Sequence, residues 1–394
     1  MNNPIYFDHA ATTFLDERAL AEMLPYFKDR FGNASSRHFL GREAVAAVDE
    51  ARAKIARAIG AKESEIYFTS GGTESDNWAI RGAALIKGKG HVVTTAVEHH
   101  AVLNTLAELE KQRFEVTYVP VDKTGKVSVD AVVSSIREDT FLVSVMLANN
   151  EVGTIEPVQE IAAEARKRGI LMHTDAVQAV GAIPVDVRTL GVDLMSISAH
   201  KFNGPKGIGA LFVRSGVRLG KLITGGEQER SMRGGTYNVP SIVGFGKAIE
   251  LAVEELSFRS EKVRALRDLF VKRVKEEIPF VFVNGASEDE KLPNNANVCF
   301  EYADGDGILL SLDREWIAAS AGSACSSGSA DPSHVLIAMG LTEELARSSL
   351  RFSFGAENTE EEVEKAVNVL SRTVERLRSF SPLFKQFEHS KRDV

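Results

Sequence analysis

The chain contains 394 residues, of which 44% are hydrophobic and 26% charged, and its net charge is −8. This length predicts one large and one smaller domain. The negative charge argues against non-specific binding to nucleic acid, whose phosphates need a basic face. No run of about 18 apolar residues and no basic stretch before an apolar run at the start are found, so neither a membrane span nor a signal peptide is expected. With only Cys299 and Cys325, a disulfide framework is excluded and the reducing cytoplasm is favoured.

The first two thirds of the chain alternate short apolar runs with amphipathic segments, a pattern that predicts a mostly parallel sheet covered by helices on both faces. Helices are expected at Glu74–Ile86 and Pro157–Lys167, where apolar residues recur at helical spacing. Strands are expected at Ile66–Thr69, His91–Thr95, Val116–Val121, Phe141–Leu147, Ile170–Thr174, Leu194–Ser198 and Ile208–Val213.

A second region, with the pattern of a smaller α+β domain, follows a long charged helix predicted at Glu250–Glu277. Strands are expected at Phe280–Asn284, Asn297–Tyr302, Ile317–Ala321 and Ser349–Phe354, and a last helix at Thr359–Ser379. The tail after Ser381 is polar and is expected to be mobile. We therefore predict a large domain of residues 15–250 and a small domain of residues 1–14 and 251–394.

Two motifs place a charged side chain at the end of an apolar strand. Lys201 precedes a Gly/Pro-rich loop, where partial desolvation would lower its pKa and favour a Schiff base, although a surface lysine is the simpler reading. Asp175 ends another strand, and its buried carboxylate would need a cation such as a pyridinium nitrogen, although a helix N-cap fits equally well. Gln178 lies three residues further on and could bond a ring hydroxyl.

Two further motifs lie between a strand and a helix. Ser70–Ser75 contains Gly72 and Thr73, which could cradle a phosphate with backbone N–H groups, although a tight turn is the simpler interpretation. His99 could stack on an aromatic cofactor and transfer protons. A metal is not expected, because His99 and His100 are adjacent and point in different directions on a helix.

The small region contains a cysteine among small, loop-forming residues, Cys325, which favours a reactive thiol. Cys299 instead lies in an apolar strand, as structural cysteines do. Arg351 also lies in an apolar strand and needs an anion, either a substrate carboxylate or an internal acid.

Taken together, these motifs resemble the NifS/IscS-type cysteine desulfurases of the class V branch of fold-type I enzymes that use pyridoxal 5′-phosphate (PLP). The resemblance covers nearly the whole chain. The matching segments are 6–13, 33–38, 69–77, 148–153, 173–178, 226–229 and 233–240, together with the longer Cys325 loop typical of this group.

The resemblance implies a PLP-dependent transferase that removes sulfur from L-cysteine, gives L-alanine and leaves a persulfide on Cys325. It implies that Lys201 holds the cofactor, Asp175 pairs with its ring nitrogen, Gln178 contacts its hydroxyl and His99 stacks on its ring and serves as a proton donor or acceptor. Further residues bind the cofactor phosphate or the substrate carboxylate; these are Gly72, Thr73, Ser198, His200 and Thr236 of a second subunit for the phosphate, and Asn150 and Arg351 for the carboxylate.

The family also implies a homodimer and a sulfur-acceptor protein, which could be an iron–sulfur scaffold or a thiolation enzyme. Two alternatives remain at this stage. Another class V enzyme, such as a selenocysteine lyase or an aminotransferase, would share the cofactor site, but an aminotransferase has no use for Cys325. A sulfur carrier without turnover would need neither Lys201 nor Asp175.

Overall fold

The computed structural model describes residues 4–321 and 331–392. Its helices are α1 Glu17–Met23, α2 Pro25–Lys28, α3 Phe39–Ala58, α4 Gly72–Lys87, α5 His100–Glu110, α6 Val129–Ser134, α7 Val158–Lys167, α8 Val187–Leu190, α9 Val239–Glu254, α10 Leu256–Glu277, α11 Gly305–Arg314, α12 His334–Ala338, α13 Glu343–Arg347, α14 Glu360–Phe380 and α15 Pro382–Arg392. Its strands are β1 Ile5–Tyr6, β2 Ile66–Thr69, β3 His91–Thr95, β4 Glu115–Val119, β5 Thr140–Ser144, β6 Leu171–Asp175, β7 Leu194–Ser198, β8 Gly209–Val213, β9 Val281–Asn284, β10 Asn295–Phe300, β11 Ile317–Ala318, β12 Ser320–Ala321 and β13 Ser349–Ser353.

The largest sheet has seven strands in the order β2-β8-β7-β6-β5-β3-β4. Strands β4, β3, β5, β6 and β7 run parallel to one another, and β8 pairs antiparallel with β7 on one side and with β2 on the other. Every residue of β3, β5, β7 and β8 is buried, as expected for strands with helices on both faces. The predicted α/β fold with a mostly parallel mixed sheet is confirmed.

A four-stranded antiparallel sheet in the order β12-β13-β10-β9 lies in the second region. It packs with α10, α11 and α14 in a separate apolar core that includes Phe270, Phe300 and Phe352. The chain start joins this core, because β1 pairs in parallel with β11 and Phe7 is fully buried there. Burial of each such aromatic side chain contributes about 1.5–3 kcal/mol.

One helix prediction in the second half was wrong. The helix predicted at Glu250–Glu277 is broken at Glu255, so that α9 ends at Glu254 and α10 begins at Leu256. Glu255 accepts hydrogen bonds from Arg18 and Arg259 at this corner. No proline or glycine marks the break, so the sequence pattern continues through it.

The polar tail after Ser381 contains α15, and its mobility stays a prediction. Phe384 and Phe387 pack against Phe280 and Tyr302, with ring centroids 5.1–6.1 Å apart. Arg378 supports this cluster by donating to the carbonyls of Pro279 and Phe280 at 2.7 and 2.9 Å. Aromatic packing therefore offsets the polar composition of the tail. Across the described ranges, no helix is long and apolar enough to cross a bilayer.

Candidate active site

The carboxyl ends of four neighbouring parallel strands bring the predicted site residues together. His99 follows β3, Asn150 follows β5, Asp175 ends β6 and Ser198 ends β7. Parallel strands present their carboxyl ends at one edge of the sheet, which is where such folds bind ligands. A cavity of about 220 Å³ lies there, and the predicted residues that line it are Gly72, Thr73, His99, Asn150, Asp175, Gln178, Ser198, His200, Lys201 and Arg351.

One end of the site is the N-terminus of α4. Helix α4 begins at Gly72 after Gly71, which provides no side-chain cap. The uncapped N–H groups of this 16-residue helix meet Thr73, Ser198 and His200 around a second, open cavity. A helix N-terminus with adjacent hydroxyl groups favours an anion such as phosphate. Close packing also requires glycine here, since a Cβ on Gly72 would lie 2.8 Å from Val177 Cγ2.

Asp175 also lines the cavity and is 6% exposed. Its Oδ1 accepts the N–H of Val177 at 2.9 Å. Burial raises the pKa of Asp175, while the Val177 N–H and the charge of Lys201 oppose that rise. A cation at this carboxylate would offset the cost of burying it.

Lys201 lies three residues after the end of β7 and points at the N-terminal segment. Its Nζ donates to the carbonyls of Ala10 at 2.6 Å and Ala11 at 2.8 Å. Gln178 Nε2 also donates to the Ala10 carbonyl, at 2.9 Å. The segment after β1 therefore forms one wall of the cavity and positions the amine inside it, a function that the sequence pattern alone did not predict.

His99 is the N-cap residue of α5, and its Nδ1 accepts the N–H of Ala101 at 3.1 Å. Burial, followed by the charge of Lys201, lowers the pKa of His99 to about 4. The ring is therefore neutral at pH 7 and carries its proton on Nε2. In this state it offers a hydrogen-bond donor and an aromatic face.

Arg351 lies in β13, paired in register with Ser320 of β12. Its Nη1 donates to the carbonyl of Asn150 at 2.9 Å, and its Nη2 donates to Asp8 Oδ1 at 2.9 Å. Asp8 is therefore the internal acid that the sequence analysis considered as an alternative partner for Arg351. The buried Nε still has no hydrogen-bond partner within residues 4–321 and 331–392, so the guanidinium retains capacity for a further anion.

Two of the residues considered, Thr236 and Cys299, do not line this cavity, and Cys325 cannot be placed relative to it. Thr236 is exposed and lines neither this cavity nor the one at the start of α4, as far as the described residues show. Cys325 lies outside the described residues, in the segment that follows β12. Cys299 is fully buried in β10 and donates to the carbonyl of Leu345 at 3.4 Å. Burial raises the pKa of Cys299 to about 12, which fits a structural thiol.

Sequence reasoning missed three polar residues at the site. Asp76 lines the cavity beside Asp175, and Lys206 lines the open cavity at the start of α4. Glu98 directly precedes His99 in the sequence, and burial raises the pKa of Glu98 to about 8. An acid in the first turns of a helix and a lysine in a Gly/Pro-rich loop are common surface features, so the sequence offered no signal for Asp76 or Lys206.

A model of the aminotransferase class-V family matches residues 5–366. The chain belongs to this family. The resemblance to NifS/IscS-type enzymes is also confirmed, because the family match covers most of the chain and is joined by close full-length relatives.

Among curated proteins, the chain is 51% identical to "Cysteine desulfurase IscS" of Dictyoglomus turgidum over the full length of both chains. It is 50% identical to a protein of the same name from Methanosarcina thermophila, covering 97% of this chain and 95% of that one. Among solved structures, a "NifS-like protein" superposes with a TM-score of 0.90 at 40% identity, covering 95% of this chain and all of that one. A structure titled "SspA in complex with cysteine" has a TM-score of 0.81 at 39% identity, covering 90% of this chain and all of that one.

PLP is the cofactor of this class V group. The residues present fit it in three respects. The uncapped start of α4 fits its phosphate, the buried carboxylate of Asp175 fits its ring nitrogen, and Lys201 Nζ lies at the same cavity for covalent attachment. Asp76, His99 and Asp175 could also be considered as metal ligands, since their donor atoms lie within 4.8 Å of one another. Two of these three residues already have a place in the PLP assignment.

Proposed function

We propose that this protein is a cysteine desulfurase, which takes sulfur from L-cysteine and releases L-alanine. The observation that carries the proposal is 51% identity over the full length to a protein named as a cysteine desulfurase. The cavity supports it, because Lys201, Asp175 and Arg351 line the same space. The neighbour solved in complex with cysteine supports the choice of substrate.

The α-carboxylate of cysteine is assigned to Arg351 and to the side chain of Asn150. Arg351 lies in a central strand of the four-stranded sheet, so its guanidinium is held by the fold rather than by a loop. An arginine binds a carboxylate with two parallel charge-assisted hydrogen bonds and thereby orients the substrate as well as binding it.

Lys201 is assigned the role of removing the proton from the substrate α-carbon. Its Nζ lies at the cavity wall, where Ala10 and Ala11 hold it. When bound, PLP supplies the electron sink that makes removal of this proton possible. Asp175 holds the ring nitrogen, and His99 contributes its neutral ring as a stacking surface and holds a proton at Nε2. Gly72, Thr73, Ser198 and His200 are assigned to the phosphate, and Gln178 to the ring hydroxyl.

Cys325 is assigned as the sulfur acceptor. Its thiolate attacks the substrate sulfur, the bond between that sulfur and the β-carbon breaks, and protonation of the carbon skeleton gives alanine. Cys325 retains the sulfur as a persulfide until it passes to an acceptor protein. The strand β12 supports this assignment. Its Ser320 pairs with Arg351, which would hold the same substrate, and β12 precedes the Cys325 segment in the sequence.

The enzyme is further proposed to work in the cytoplasm as a homodimer, with Thr236 completing the phosphate site of the partner subunit. The exposed position of Thr236 is compatible with this role. The acceptor of the persulfide is proposed to be a protein, either an iron–sulfur scaffold or a thiolation enzyme.

The test is to measure alanine and sulfide from L-cysteine with dithiothreitol, comparing the wild type, Cys325→Ala and, as a matched control, Cys299→Ala. The wild type and Cys299→Ala should make both products in equal amounts, and Cys325→Ala should make neither. Turnover of cysteine by Cys325→Ala at the wild-type rate would contradict the proposal and favour another class V reaction.

A further inference from the structure

Two carboxyl groups face each other at the site, although only one of them has a place in the proposed function. Asp76 lies one turn into α4, is 1% exposed and lines the same cavity as Asp175. An oxygen of each carboxyl group and a ring nitrogen of His99 lie within 4.8 Å of one another. Asp76 is therefore close enough to influence the charge of Asp175 directly.

The other neighbours of Asp76 provide no positive charge. Ser196 hydrogen-bonds its carboxyl group, and His173 Nε2 lies 3.6 Å from Oδ1. His173 is fully buried between the hydroxyls of Ser144 at 2.8 Å and Ser196 at 3.0 Å, and burial lowers its pKa to about 3, so the ring is neutral. Oδ1 of Asp76 has no hydrogen-bond partner in the part of the chain that the structure describes.

Two adjacent carboxyl groups in a buried site do not both ionise, because each charge raises the cost of the other. The surroundings of the two groups differ. Asp175 accepts the N–H of Val177 and feels the charge of Lys201, and both favour its ionised form. Burial and the neighbouring acids Asp175 and Glu98 raise the pKa of Asp76, and only the Ser196 hydroxyl opposes them.

The charged and titratable groups that face Asp76 come from each element packed around it. Asp175 and His173 belong to β6, Glu98 follows β3, and His99 is the N-cap residue of α5. Of these groups, His173 and His99 are neutral at pH 7, and burial raises the pKa of Glu98 to about 8. The site therefore supports a single carboxylate anion.

We propose that Asp76 is a positioning residue that stays in its neutral acid form beside Asp175, and that the proton held by Asp76 allows Asp175 to remain the anion that faces the cofactor ring nitrogen. This inference rests on the assignment of Asp175 in the proposed function. It adds a division of roles between two carboxyl groups, in which one supplies the charge and the other keeps its proton.

The proton on Asp76 can be tested without cofactor, by reversible urea unfolding of the full-length apoprotein at several pH values and constant protein concentration. Asp76→Asn is neutral at every pH, whereas wild-type Asp76 ionises on unfolding and is protonated again on folding. The folding equilibrium constant of Asp76→Asn relative to the wild type should therefore rise about tenfold per pH unit above the unfolded pKa of about 4. A flat ratio would mean that Asp76 is ionised in the folded protein and would overturn the proposal.

The effect on Asp175 is tested by titrating the apoproteins with PLP and following the visible absorbance band. Asp76→Asn keeps a polar, neutral group and should bind PLP within about threefold of the wild type, whereas Asp76→Leu, which places an apolar side chain next to the Asp175 carboxylate and so raises the cost of its charge, should bind about tenfold more weakly. Asp175→Asn should show a larger loss than either. Circular dichroism checks that each variant is folded, and Asp76→Asn keeps the test valid if Asp76→Leu does not fold.

Two results would overturn the role of Asp76 and leave the proposed function intact. Asp76→Asn could weaken PLP binding as much as Asp175→Asn does, which would make Asp76 a second anion, or Asp76→Leu could bind PLP as the wild type does, which would leave Asp76 without a role. If Asp175→Asn itself bound PLP normally, the assignment of Asp175 would fail and this inference with it, while alanine production from cysteine would still test the proposed reaction separately.

Discussion

Substitution of Arg351 by lysine tests how the substrate is held. The guanidinium makes its two described hydrogen bonds through separate nitrogens, with Nη1 to the Asn150 carbonyl and Nη2 to Asp8, each at 2.9 Å. A lysine keeps the positive charge but has one nitrogen and lacks the planar fork that binds a carboxylate twice. At least one charge-assisted hydrogen bond to the substrate carboxylate is therefore expected to be lost.

Such a hydrogen bond contributes about 1.5–3 kcal/mol, so kcat/KM for L-cysteine should fall about 10- to 100-fold in Arg351→Lys. The assay is alanine formation with L-cysteine and with L-cysteine methyl ester, which lacks the anionic carboxylate. Arg351→Lys should lower kcat/KM for the ester much less than kcat/KM for cysteine. Arg372→Lys is the matched control, because that arginine is exposed and pairs with Glu315 far from the cavity. Equal losses with acid and ester, or a cysteine value within about twofold of the wild type, would refute this reasoning.

Two further predictions concern other buried or partly buried acids. Asp8→Asn keeps a hydrogen-bond acceptor for Arg351 but removes a charge that competes with the substrate, so KM for cysteine should fall several-fold at unchanged kcat; a higher KM in steady-state assays would contradict this. Glu156 is 3% exposed, and burial raises its pKa from 4.5 to about 8 while its Oε2 accepts the N–H of Val127. The folded state therefore binds more protons than the unfolded state, so that stability falls with rising pH; between about pH 6 and about pH 9 the wild-type apoprotein should lose about 2–3 kcal/mol more than Glu156→Gln. Urea unfolding at both pH values measures this, and equal losses would show that Glu156 is ionised in the fold.

The sequence was sufficient to predict the strands of the large sheet and most of the residues that line the candidate cavity. Segments such as His91–Thr95 and Leu194–Ser198 match observed strands residue for residue, because their apolar, β-branched and small hydroxyl residues are compatible with a strand buried on both faces. Polar residues at or shortly after the ends of such strands, such as Asp175 in β6 and Lys201 after β7, could then be assigned to one edge of the sheet.

Features that depend on tertiary contacts could not be predicted in this way. The break at Glu255 coincides with a hydrogen bond from Arg18, 237 positions away in the chain, beside the local one from Arg259, and α15 depends on aromatic residues packed from the small region. Asp76 has the sequence context of an ordinary acid near a helix start, and only the fold brings it against Asp175. The ion pair of Arg351 with Asp8 joins residues 343 positions apart.

The central claim is that Cys325 receives the sulfur, and the two cysteines of the chain allow a direct test within one protein. The holoenzyme is given L-cysteine carrying radiolabelled sulfur, without reductant, and the label is located by peptide mapping under conditions that preserve persulfides. The label should be found on the peptide that contains Cys325, in proportion to the alanine released. The peptide with Cys299 should carry none, because that thiol is fully buried and its pKa is raised to about 12. Label on Cys299, or alanine released without protein-bound label, would contradict the account.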